Sequence, residues 1–126
     1  MIRKISALTI AVLMAGALFA QAQKTVTITG NLIDNACVES AKDLDARAKN
    51  HSTSCSMMDG CEKSGYAVYA DKKLYKLDDK GNDITADLLK NTKTQKGLKV
   101  TVEGTLDGDT IHVNKLTEVT GASAGN

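Results

Sequence analysis

The 126-residue chain carries 16 basic and 15 acidic side chains, three cysteines, two histidines, no tryptophan and no proline. A nucleic-acid binder needs a basic excess that this near-neutral balance lacks. With Phe19 set aside, Tyr66, Tyr69 and Tyr75 are the only aromatic residues, too few for a base-stacking platform.

The first segment reads as a Sec-type signal peptide over residues 1–22. Arg3 and Lys4 precede an apolar run, 5–19, interrupted only by Ser6, Thr9 and Gly16, and Ala20-Gln21-Ala22 supplies an A-x-A cleavage pattern. The competing reading is an uncleaved anchor, but a spanning helix wants about 20 apolar residues and this run is shorter. The expected product is therefore cut after Ala22, lies in the periplasm or outside the cell, and has no stable membrane insertion. The remaining 104 residues suffice for one domain with a modest core, expected over 23–119 with a small polar tail at 120–126.

Residues 25–34 (TVTITGNLID) alternate apolar and polar side chains around Gly30, which predicts a strand with a bulge or tight bend at the glycine. Residues 38–49 are rich in helix formers and predict a short, weak helix. Residues 50–54 form a polar break and a possible cap for a second short helix over 55–59. Two strands over 65–70 and 73–78 follow, joined by a tight Asp71-Lys72 turn. The DDKGND run at 78–83 reads as a loop, and 83–93 as a helix capped by Asp83 with Ile84, Leu88 and Leu89 on one face. Val100, Val102, Gly104 and Leu106, then Ile111, Val113 and Leu116, flank an Asp107-Gly108 or Gly108-Asp109 turn, the mark of a hairpin. Five strands with a helix between the third and fourth are the order of an all-β, five-stranded OB-like Greek-key barrel with one or two short helices. An open five-stranded α+β sheet is the alternative.

All the cysteines and one histidine fall between the first two strands, with the spacing C-x13-H-x3-C-x5-C at Cys37, His51, Cys55 and Cys61. Three thiolates and an imidazole make a complete four-coordinate set, and Cys3His is a structural zinc combination. A helix through this stretch would put His51 and Cys55 at i and i+4 on one face. Met57 and Met58 add thioethers that suit copper(I) more than zinc, although methionines more often fill cores. Asp34 could orient His51 as an outer acceptor; the plainer reading is an aspartate that ends a strand. The spacing lacks C-x2-C knuckles, and no C-x-x-C-H motif is present for covalent haem.

The opposing reading is a disulfide, since exported cysteines usually pair. One bridge among the three would leave one thiol over, for a partner or a Cys-linked dimer, and would make His51 a surface residue. His112, between Ile111 and Val113, is expected to face outward, and Tyr66 and Tyr69 to pack on the barrel or line a ligand rim. Without C-x-x-C or G-x-S-x-G, neither enzymatic nor nucleotide-dependent chemistry is expected, and a thiol redox role would need a low-pKa thiolate.

The motifs G-x-L-x-D-x-x-C (Gly30 to Cys37), H-x-x-x-C (His51, Cys55), Cys61, Gly65-Tyr66 and the closing V-T-V-x-G-T-L-D-G-D-T-I resemble a group of small exported bacterial proteins with an OB-like barrel. The resemblance implies the fold and export, and marks Cys37, His51, Cys55 and Cys61 as matching positions; it implies no particular activity. The expected function is a small exported module binding zinc or copper at these four residues. The alternative is a disulfide-stapled domain that contacts another envelope protein.

Overall fold

The computed structural model describes residues 23–120; the signal-peptide reading and residues 121–126 of the tail lie outside them. The strands are β1 (Lys24–Asp34), β2 (Tyr66–Ala70), β3 (Lys73–Leu77), β4 (Lys99–Asp107) and β5 (Thr110–Glu118). They close a barrel in the order β1-β2-β3-β5-β4, every pair antiparallel except β3 with β5. Closure rules out the open sheet and matches the OB-like expectation. No helix among the described residues is long and apolar enough to cross a membrane.

β1 serves both sides of the barrel. Lys24 to Asn31 pair with β4, and Asn31 to Asp34 pair with β2. Gly30 sits at the changeover, where a Cβ would lie 2.3 Å from the Tyr69 carbonyl oxygen. The glycine is needed for that close approach, and the bend expected there is a strand passing between two partners.

Alternation sends Leu32, Tyr66, Val68, Val100, Val102, Ile111 and Val113 into the barrel, where they form the main core. Residues of opposite phase on β1 and β2 are buried too: Ile33, Ala67 and Tyr69 form a second cluster with Ala48, Cys37, Val38 and Leu44. The segment between β1 and β2 thus covers the outside of this edge, which is why all of β2 is buried. Tyr66 is therefore an interior residue, while Tyr69, mostly covered by the insert, borders a surface cleft with Asp45, Lys49 and Lys72.

The expected 83–93 helix begins earlier. α5 spans Asp79–Asn91, and its N-cap is Asp78, whose side chain accepts the Gly81 N–H. The DDKGND run is a first helical turn, contrary to the loop reading. Gly81 there meets the barrel wall, where a Cβ would stand 2.6 Å from Val113 Cγ2 and 2.9 Å from Leu77 Cβ. The glycine serves close packing rather than a flexible turn. The β4–β5 hairpin forms as expected, with Asp107 opposite Thr110 and a register shift between Glu103 and Gly104. Asp71 and Lys72, both at positive φ, make the tight turn between β2 and β3.

Candidate metal centre

The insert holds four short helices rather than the one or two expected: α1 (Asn35–Ser40), α2 (Leu44–Asn50), α3 (Thr53–Ser56) and α4 (Asp59–Ser64). The helix expected over 38–49 is split because Asp43 caps a new helix, its side chain accepting the Ala46 N–H. The helix expected over 55–59 starts earlier for the same reason: Ser52 caps it, accepting from the Cys55 N–H. His51 is the extended C-cap of α2. His51 and Cys55 are thus on separate elements, and the proposed i, i+4 helix face does not exist.

One local device delivers all three thiols. Cys37, Cys55 and Cys61 are each the third residue of a short helix, following the caps Asp34, Ser52 and Met58. In the first two, the cap side chain accepts the cysteine's own N–H, from Cys37 to Asp34 Oδ1 at 2.9 Å and from Cys55 to Ser52 Oγ at 3.4 Å.

Helices of this length do not stand alone, so tertiary hydrogen bonds fix their relative placement. Asn35 N–H donates to the Gly65 carbonyl and Ala36 N–H to Ser64 Oγ, joining the two ends of the insert. Thr53 N–H donates to Gln95 O and Gly97 N–H to His51 O, tying its middle to the loop before β4. The Tyr66 hydroxyl, buried in the barrel end, donates to the Ser56 carbonyl at 2.9 Å.

The result is a convergence of sulfur. The Sγ atoms of Cys37, Cys55 and Cys61 lie within 4.8 Å of one another, and Asp34, Cys37 and His51 form a second such group that shares Cys37. Either group lies close enough to hold a metal ion. No disulfide is formed: all three cysteines are free and half-buried, which goes against the alternative reading of a bridge. Of the four residues expected to act together, the structure groups the three cysteines and attaches His51 through Cys37 alone.

Sequence reasoning gave Asp34 only an outer place. It is fully buried at the end of β1, opposite Tyr66. Its Oδ2 stands 2.6 Å from His51 Nε2. An ionised carboxylate only accepts, so Nε2 carries the proton. Burial works against the charge of Asp34, but the Cys37 N–H and the His51 ring outweigh it and hold the carboxyl below its ordinary 3.8. His51 is itself buried, which corrects the reading of a surface histidine.

The same environment keeps protons on Cys37 and Cys61. Burial, reinforced by the Asp34 charge, pushes the Cys37 thiol up to about 12. Cys61 is raised by the same two causes in the same order. Tyr66 is pushed up to about 12, by burial first and then by Glu62 and Asp34.

Met57 and Met58, on the turn between Cys55 and Cys61, are 42% and 60% exposed, so neither fills the core. His51 and Cys55 open onto a cleft of about 640 Å³ with Lys42, Arg47 and Lys96 on its walls, a route from solvent to the cluster. His112 is elsewhere, half-exposed between Asp78 and Asp107, as expected of an outward-facing hairpin residue. No family model, no curated protein and no solved structure matches the chain.

Proposed function

We propose that this protein is an exported, non-catalytic binding module that holds one soft metal ion, zinc or copper, on the thiols of Cys37, Cys55 and Cys61, with His51 beside them. The observation that carries this reading is the meeting of three free sulfurs from three separate helices within 4.8 Å. An ion shared by the three thiols would link three helices too short to persist alone. Export rests on the charged, apolar and A-x-A pattern of residues 1–22 and on the resemblance to exported proteins.

A nucleophilic thiol role is less well supported. A reactive cysteine needs a lowered pKa, and Cys37 is pushed the other way, to about 12.

The test is the metal content of the protein purified from cells, compared with Cys37→Ser, Cys55→Ser and Cys61→Ser. One equivalent of metal in the wild type, lost from each variant, is expected. A metal-free wild type under metal-replete growth would contradict the proposal and return the cluster to disulfide chemistry.

A further inference from the structure

From the same cluster, and resting on the metal-binding reading above, we infer that the ion is monovalent copper, bound by sulfur from Cys37, Cys55 and Cys61 and not by His51. A closed zinc site wants four ligands in a tetrahedron, with sulfur at about 2.3 Å and nitrogen at about 2.0 Å from the ion. Its ligand atoms must therefore all be mutual neighbours. The three sulfurs meet that condition among themselves, but His51 joins only Cys37 and Asp34, and no group of four forms.

The histidine is held in a different group, with Asp34 and Cys37. Its Nε2 is 2.6 Å from Asp34 Oδ2, and the same carboxylate holds the Cys37 N–H through Oδ1. The ring is anchored from the barrel end, while two of the sulfurs come from α3 and α4 on the insert. A hydrogen-bonded imidazole–carboxylate pair explains the second group without an ion between its members.

What remains is a sulfur-only set. Soft thiolates and thioethers select copper(I), which is satisfied by two or three sulfur ligands and needs no nitrogen. Met57 and Met58 fit this preference. Both are exposed on the turn joining Cys55 to Cys61, next in sequence to the helices that carry these two thiols.

The test is an anaerobic titration of the reduced protein, expressed from its full-length sequence, with copper(I) and separately with zinc. Each metal competes with a chromophoric chelator, and X-ray absorption is recorded on the loaded forms. Because His51→Ala would leave Asp34 buried without its partner, the variant is His51→Gln, which keeps a donor toward that carboxylate. The expected result is one copper(I) with only sulfur neighbours, an affinity lowered about a hundredfold or more by each Cys→Ser change, and His51→Gln within about threefold of wild type.

Tighter binding of zinc, a nitrogen neighbour, and a loss of about a hundredfold or more in His51→Gln would overturn this inference and leave the metal-binding proposal standing. Failure to bind either metal would overturn both.

Discussion

Asp34 joins three functions at one residue: it ends β1, caps α1 through the Cys37 N–H, and holds His51. Its negative charge also helps keep Cys37 and Cys61 protonated when no metal is bound. That sets a pH dependence whose sign follows directly. Both thiols are raised above 9.0, so near neutrality they carry protons that an incoming ion must displace. Apparent metal affinity should therefore rise with pH across about pH 6 to 8, by about tenfold per pH unit for each proton expelled and so by about a hundredfold per pH unit for these two. Competition titrations across that range would measure the slope; a flat profile would mean the thiols are not protonated in the metal-free state.

The nearness of Asp34 to Cys37 was legible from their three-residue spacing, and with it a possible role toward His51. That His51 would be buried was not legible, because its cover comes from distant parts of the chain. Its own carbonyl is held by Gly97 and its ring by Asp34.

At the scale of elements, the insert is a set of first turns. Each cysteine follows a cap by three residues, and the D-x-x-C and S-x-x-C patterns at Asp34 and Ser52 were present in the sequence as capping signals. Composition alone merged α1 with α2, because Ala, Lys, Glu and Arg favour helix without marking where one ends. Asp43 marks that boundary.

A similar error affected α5. Gly81 in a DDKGND run looks like a loop residue, but Asp78 caps the helix and the glycine lets it approach the barrel closely. Gly81→Ala should consequently destabilise the protein by about 1–3 kcal/mol, since its methyl would overpack against Val113 and Leu77. An ordinary exposed helix would gain stability from that change. Urea denaturation decides the sign, and a stabilised variant would refute the close-packing account.

The whole molecule divides into a frame and a cover. The frame was legible: alternation located the strands, and turn residues located the two hairpins. Its closure was legible from the order of five strands with a helix between the third and fourth. The register that pairs β1 with β4 and the parallel setting of β3 and β5 were not legible, because periodicity does not encode those contacts. The cover was legible as a cluster of cysteines and a histidine but not as a shape. Its helices have almost no core of their own; α1 and α4 bury no residue completely, and α2 buries only Ala48. A bound ion at the point where α1, α3 and α4 meet would supply the missing cross-link, while the barrel has its own core.

The most direct test of that account is the intact mass of the purified protein, taken under native and denaturing conditions, with thiol alkylation after unfolding. The account predicts a native mass heavier by one metal ion, lost on denaturation, and three alkylatable thiols per chain. A metal-free chain lighter by two hydrogens, with a single alkylatable thiol, would contradict it: the sulfurs would have met to form a bridge rather than to hold an ion.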